Sequence, residues 1–334
     1  MRAAWLENGQ LSVRDLPGPD AAPGWARIRV TLAGICGTDL ELARGYKGGF
    51  AGVPGHEFVG VVEAAPDAPE WLGRRVTGSI TIACGSCDLC RAGLPGHCRN
   101  RRVLGVLGHP GALADCLTLP VANLHAVPDS VPDAAAVFCE PLAAALQVLE
   151  QVTVTPQTRA AVVGDGRLGL PAAWALARTG AAVTLFGHHP ERTDWGAERG
   201  VRWQPADSGE PRAFDLVLEA TGAPGGAAAA LRLVRPRGTL VLKSTMAAPA
   251  TLNLAGVVVD EITVVGSRCG PFPKALAWLA AADAPPVARL VAAEYPLDRA
   301  PEAWARAQRP GTLKVLLRPG IRNRPAAPSV LALP

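Results

Sequence analysis

The chain has 334 residues, 49% hydrophobic and 19% charged, with a formal net charge of +4. This is longer than one domain of about 100–200 residues and apolar enough to bury sizeable cores, which excludes an intrinsically disordered chain. The positive excess is spread along the sequence with no run of five or six like charges, so neither nucleic acid nor a membrane surface is expected as a partner.

The N-terminus, MRAAWLENGQLSVRDLPGPD, has no continuous apolar segment and no cleavage-type ending, so it does not read as a signal peptide. No run of about 18 apolar residues could span a membrane. A soluble cytoplasmic protein is expected.

Residues 1–150 read as short strands and loops. ARIRVTLAGIC (26–36) and EFVGVVEAA (57–65) have the Val and Ile content of strands, punctuated by Gly and Pro. EPLAAALQVLEQV (140–152) is rich in helix formers and follows the turn-like DSVPDAA. From 159 to 268 strands and helices alternate. RAAVVG (159–164), AAVTLFG (181–187), FDLVLEATG (214–222), GTLVLKS (238–244) and EITVVGS (261–267) read as strands. LGLPAAWALARTG (168–180) and GGAAAALRLV (225–234) read as helices. The alternation predicts an α/β protein with a doubly wound parallel sheet. A helix over 271–283, a strand over 312–319 and a loose Pro-rich tail over 320–334 complete the expected elements.

GDGRLG (164–169) follows a strand and opens a helix, the setting in which G-x-G-x-x-G binds a dinucleotide. Gly164 permits the tight turn, Gly166 lets backbone approach a pyrophosphate, and Gly169 allows close helix–strand packing. Arg167 and Leu168 lie inside the loop. The acid that binds the adenosine ribose is expected about 20 residues onward, at the end of the second strand. Gly187 stands there instead. Nothing at that strand end repels a 2′-phosphate, and His188, His189 and Arg192 could attract one, so NADP is favoured over NAD. The bland alternative is that these three are surface residues at a helix start.

Cys84-x2-Cys87-x2-Cys90-x7-Cys98 supplies four thiolates within fifteen residues. Four thiolates close the shell of a tetrahedral zinc, so such a site shapes a loop and does no chemistry. A reducing compartment favours metal over disulfides. An iron–sulfur cluster is the competing occupant. A catalytic zinc needs three protein ligands and an open place. Candidates are Cys36, His56, Glu57, Glu140 and, beside the last, Cys139. Adjacent residues at a helix start point about 100° apart, so only one of Cys139 and Glu140 should face a metal. Cys116 and Cys269 read as inert, and His97, His109 and His125 as polar loop residues.

Taken together, GICGTD, GHEFVG, CGSCDLCRAGLPGHC, EPLAAAL, GDGRLG and EATG resemble the zinc-dependent medium-chain dehydrogenase/reductase family over residues 1–319, in the polyol, threonine and glucose dehydrogenase branch. The resemblance implies a GroES-like catalytic domain over 1–150, carrying a structural zinc lobe at 84–98. It implies a Rossmann domain over 151–284 and a return segment over 285–319 that completes the catalytic domain. The active site would lie in the cleft between them. It implies two zincs per chain and NADP or NAD as cofactor. Cys36, His56 and Glu140 become catalytic zinc ligands, Glu57 a close or exchanging ligand, and Asp39 the carboxylate that orients His56. Thr221 of EATG falls in the cofactor site, and Arg268 lies where it could touch cofactor or substrate.

The implied reaction is reversible hydride transfer between a secondary alcohol, polyol or sugar hydroxyl and nicotinamide, with zinc polarising the substrate oxygen. Thr38 matches the family's proton-relay hydroxyl. Glu41 stands where relatives often carry a relay histidine, which weakens a dedicated threonine dehydrogenase. Asp165, an acid inside the phosphate loop, is expected to face solvent, because a carboxylate facing a pyrophosphate would be repelled. A homodimer or homotetramer is expected from the strand 261–267 as an exposed edge. The competing readings are a zinc-independent enone or quinone reductase and a catalytically silent dinucleotide binder.

Overall fold

The computed structural model describes residues 1–320. The reading of a Pro-rich tail falls on 321–334, outside the described residues, apart from Gly320.

The first large sheet is mixed and seven-stranded. Its axis is Trp25–Ile35, whose N-terminal half alternates buried and less buried positions and whose last residues are buried on both faces. Glu57–Ala64 and Cys116–Pro120 pair antiparallel to it. Lys314–Arg318 also pairs antiparallel to it, with Val315 opposite Ile35 and Leu317 opposite Ala33. Val291–Pro296 then pairs parallel to Lys314–Arg318. The C-terminal stretch therefore returns to the sheet built by the N-terminal residues.

The second large sheet is six-stranded and wholly parallel. Its order is Val201–Pro205, Ala182–Gly187, Arg159–Val163, Phe214–Glu219, Val234–Leu242 and Thr263–Gly266. The chain order reverses at Arg159–Val163, and the crevice beyond the strand ends at such a reversal is where dinucleotides bind. The turn that leaves this strand needs glycine. Gly164 adopts φ 111°, and a Cβ on Gly169 would lie 1.7 Å from the Gly164 carbonyl oxygen. That contact seats the helix Gly169–Ala177 against the strand. A Cβ on Gly166 would meet nothing within 4 Å, so this face of the loop stays open. The buried face of helix Cys139–Gln151, including Leu142, Leu146 and Val148, joins a core that runs between both sheets.

Several elements depart from expectation. The strand expected over 238–244 is Val234–Leu242. It begins earlier because Arg235, Pro236 and Arg237 hide its first half from a hydropathy reading. It also ends earlier, which leaves Lys243 and Ser244 beyond the strand end. Val201–Pro205 was not expected as a strand: only Val201 in VRWQP is fully buried, so no period shows. Strands Arg2–Glu7 and Gln10–Asp15 and helix Ala300–Ala307 were also not anticipated.

Candidate active site

A cavity of about 200 Å³ opens where the first sheet meets the loop ends of the second. Cys36, Thr38, His56, Glu57 and Glu140 line it together with Arg167, Leu168, Lys243 and Arg268.

Cys36 follows the strand Trp25–Ile35 and is the N-cap of the helix Gly37–Ala43. Asp39, in the first turn, closes a capping box: its Oδ2 accepts the Cys36 amide at 2.8 Å. Its Oδ1 accepts the Gly55 amide at 3.1 Å and lies 3.4 Å from His56 Nδ1. Asp39 is fully buried, so a single carboxylate fixes the Cys36 turn and the Gly55 backbone and stands beside the His56 ring. With Asp39 on the Nδ1 side, Nε2 is the ring atom left for a ligand.

Glu57 is fully buried, and its Oε2 accepts the ammonium of Lys314, which is 1% exposed. Its Oε1 is buried without a hydrogen-bond partner, as is His56 Nδ1. Gly34 makes room for this carboxylate, since a Cβ there would lie 2.4 Å from Glu57 Oε2. Glu140 opens the helix Cys139–Gln151 and faces the cavity. Cys139 turns away, its Sγ 3.7 Å from the Phe272 carbonyl oxygen. Burial pushes the Glu140 carboxyl up, and Glu57 adds to this, against His56, Lys314 and Lys243.

Cys36, His56 and Glu140 offer sulfur, nitrogen and oxygen around one buried space. That donor chemistry, with Asp39 beside His56 Nδ1 and Nε2 left free, fits a three-ligand zinc with an open position. The donor atoms are not drawn together as a cluster. Among the described residues, the group whose metal-ligating atoms converge within 4.8 Å is Cys84, Cys87, Cys90 and Cys98. There the Cys87–Cys90, Cys87–Cys98 and Cys84–Cys98 sulfurs lie 3.5, 3.8 and 3.4 Å apart. A tetrahedron with metal–sulfur bonds near 2.3 Å has edges of about 3.8 Å. The quartet suits one ion rather than the wider iron–sulfur cluster.

At the dinucleotide crevice, Arg167 Nη2 reaches the carbonyls of Ala307 and Thr312 at 3.3 and 3.2 Å. Its Nη1 is buried without a partner. Arg268 Nη2 reaches Thr81 Oγ1 at 3.2 Å. Thr221 does not line the cavity; its Oγ1 donates to Glu219 Oε1 at 2.6 Å. His188 is exposed. Arg192 is buried, and its Nη1 and Nη2 donate to the Asp165 and Gly311 carbonyls. Asp165 does not face solvent. It is 3% exposed and packs over Gly187, because His189 and Trp203 draw its carboxylate inward. The expectation that Asp165 faces solvent is therefore corrected: its carboxylate, from the glycine loop, lies against the end of the second strand.

Glu41 also lies off the cavity wall. Its Oε1 pairs with Arg44 at 2.6 Å and its Oε2 accepts the Ala247 amide at 2.9 Å, tying the helix Gly37–Ala43 to a loop beyond the parallel sheet.

Sequence reasoning missed Lys243 and Lys314. Lys243 Nζ donates to Ala144 O at 2.7 Å, Ser267 Oγ at 3.2 Å and Arg268 O at 2.8 Å. Burial pulls its pKa down to about 8, against the opposing charges of Glu140 and Cys269. The available signal was a lysine at the apolar end of each strand, in LVLKS and TLKVLL.

Two family models match the chain: an alcohol dehydrogenase GroES-like domain at residues 22–129 and a zinc-binding dehydrogenase at 168–281. D-altritol 5-dehydrogenase of Agrobacterium fabrum is 32% identical over 330 residues, covering 93% of this chain and 97% of its own. A zinc-binding dehydrogenase of Sinorhizobium meliloti 1021, solved bound to NADP, superposes with a TM-score of 0.85 at 27% identity over 95% of this chain and 99% of its own. An Escherichia coli CFT073 alcohol dehydrogenase complexed with NADH superposes with a TM-score of 0.85 at 26% identity, with the same coverage.

Proposed function

The chain belongs to the zinc-binding alcohol dehydrogenase family, with its GroES-like and dinucleotide-binding parts, and on that premise we propose how its own residues serve the reaction. It is an NAD(P)-linked alcohol dehydrogenase, an oxidoreductase acting on CH–OH groups. The carrying observation is that Cys36, His56 and Glu140 share one cavity with Arg167 and Leu168 of the glycine loop.

Cys36, His56 and Glu140 hold the catalytic zinc in this proposal. Asp39 fixes the His56 ring, and Lys314 holds Glu57 aside as a nearby carboxylate. Zinc supplies Lewis acidity to the substrate oxygen, and the dinucleotide carries the hydride. The Thr38 hydroxyl, on the cavity wall, takes the proton of the substrate hydroxyl and passes its own onward. Glu41, one turn further along the same helix, is the outlet once the Ala247 amide releases its Oε2. Gly164, Gly166 and Gly169 seat the pyrophosphate, and the unpartnered Arg167 Nη1 is the cation set to meet it. Cys84, Cys87, Cys90 and Cys98 hold the structural zinc.

The proposed domains are a catalytic domain at 1–150 completed by 285–319, and a Rossmann domain at 151–284. The proposed substrate is a polyol or sugar-type secondary alcohol. Tyr46, Lys47 and Arg268 give the cavity polar groups for further hydroxyls, and the altritol dehydrogenase relative points the same way. A homodimer or homotetramer is proposed through the edge strand Thr263–Gly266, beside which Leu254, Val258 and Val259 stand 68, 74 and 79% exposed. The thiolate quartet needs a reducing compartment, which supports a cytoplasmic location. No helix among the described residues is long and apolar enough to cross a membrane.

The test is nicotinamide reduction at 340 nm by the zinc-loaded protein over a panel of polyols, sugars, secondary alcohols and threonine. Turnover of polyols above threonine supports the substrate class, and turnover of threonine alone overturns it. A competing zinc-independent reductase would instead reduce enones or quinones after Cys36→Ser removed the first ligand.

A further inference from the structure

The glycine loop carries an acid that the neighbouring strand end lacks. In dinucleotide-binding sheets, a carboxylate at the end of the second strand hydrogen-bonds the adenosine ribose. That strand here is Ala182–Gly187, and its last residue has no side chain. A Cβ built on Gly187 would lie 2.1 Å from Asp165 Cγ and 2.1 Å from Asp165 Oδ2. The carboxyl group of Asp165 therefore rests on the Gly187 backbone, in the volume a side chain at 187 would need. The two positions are brought together by the sheet, because the Gly164 amide donates to the Phe186 carbonyl at 2.8 Å.

We propose that Asp165 is the ribose-binding acid of this chain, delivered from the glycine loop instead of the second strand, and that it makes the enzyme select NAD over NADP. The inference rests on the dinucleotide-binding reading above, and it reverses the sequence-based preference for NADP.

The hydrogen-bond inventory leaves the acid room to act. Oδ2 accepts the His189 amide at 3.0 Å and Trp203 Nε1 at 3.3 Å. Oδ1 accepts His189 Nδ1 at 2.8 Å. A carboxylate oxygen takes about two hydrogen bonds, so Oδ1 retains a place for a ribose hydroxyl. Burial pushes the Asp165 carboxyl up, but the hydrogen bonds from His189 and Trp203 more than reverse it and hold it below the usual carboxylate range. It is ionised at neutral pH.

A 2′-phosphate placed there would set a charge of about −1.5 to −2 beside a carboxylate. The cation that could compensate is committed elsewhere. Arg192 Nη1 donates to the Asp165 carbonyl at 2.6 Å and lies 3.6 Å from Asp165 Oδ1. Arg192 Nη2 donates to the Gly311 carbonyl at 2.7 Å. His189 is likewise turned toward Asp165. Of the three basic residues at this strand end, His188 alone is exposed.

The experiment is equilibrium titration of the zinc-loaded protein with NADH and with NADPH, followed by energy transfer from tryptophan to the reduced nicotinamide. The wild type is expected to bind NADH at least about tenfold more tightly than NADPH. Asp165→Asn, which keeps the shape and removes the charge, and Asp165→Ser, which removes the whole carboxyl group while leaving the Arg192 bonds to main-chain carbonyls in place, are each expected to lower that ratio about tenfold or more. The ratio is the readout because a loosened loop would weaken both ligands alike and leave it unchanged. An unchanged ratio in both variants, or a wild type that prefers NADPH, overturns the inference while the dehydrogenase reading stands. A wild type that binds neither dinucleotide overturns both.

Discussion

Glu57 and Lys314 form a fully buried ion pair that joins the strand Glu57–Ala64 to the strand Lys314–Arg318, across the intervening Trp25–Ile35. Phe138 covers the ammonium, 5.8 Å from its ring centroid. The pair ties the last described strand of the chain to the wall of the proposed zinc site.

Removing one partner should therefore cost more than the pair itself contributes. Lys314→Met leaves the Glu57 carboxylate buried without a counter-charge, a change that typically destabilises by about 3–5 kcal/mol. The denaturant midpoint should fall accordingly. Adding Glu57→Gln should recover a substantial part of the loss, because the stranded charge disappears. A double variant no better than Lys314→Met would refute the ion pair as the cause.

Lys243 makes a second such connection, with three acceptors for its three protons. Lys243→Met leaves the Ala144 and Arg268 carbonyls without their donor, a loss of about 1–3 kcal/mol. Because these acceptors sit on helix Cys139–Gln151 and on the Arg268 loop, both facing the cavity, the variant should also weaken NADH binding. Intact stability together with unchanged NADH affinity would show that Lys243 fastens nothing.

The cysteine lobe has few apolar residues to order it, so its metal should carry its shape. Cys87→Ser should expose Arg91 and Arg99 to rapid tryptic cleavage, while the two large sheets stay folded by circular dichroism. Cleavage at the wild-type rate would mean that the lobe holds itself without the ion.

His125 sets a pH dependence. Burial holds its imidazole below the ordinary value, while Nε2 bonds Ser79 Oγ at 2.8 Å and the ring stacks on Phe272. A folded-state pKa below the unfolded one means that the unfolded chain takes up the proton first. Stability contributed by neutral His125 is therefore complete above about pH 6.5 and is lost as pH falls below that value. Melting temperature measured from pH 7.5 to 5.5 should drop less steeply in His125→Asn than in the wild type. Parallel curves would refute this assignment.

Most strands of the parallel sheet were legible because they are continuous apolar runs followed by glycine, and the cysteine quartet because its spacing is local. Glu140 could be preferred to Cys139 because adjacent helical residues diverge. What stayed hidden depends on residues distant in sequence. Lys314 reads as an ordinary charge until its strand pairs beside Gly34 and meets Glu57. Asp165 reads as a loop acid bound for solvent until the parallel register sets Gly164 against Phe186 and lays its carboxylate on Gly187. The strand Val234–Leu242 begins in polar residues and a proline, so its C-terminal end, and with it Lys243, could not be placed from hydropathy.

Cys36, with His56 and Glu140, is proposed to hold a zinc distinct from the one proposed for the cysteine lobe. Counting zinc per chain by mass spectrometry in the wild type, Cys36→Ser and Cys87→Ser tests it directly. Two zincs are expected in the wild type and one in each variant. A wild type that holds a single zinc even after zinc is added, retained in Cys36→Ser and lost in Cys87→Ser, would contradict a metal at the cavity.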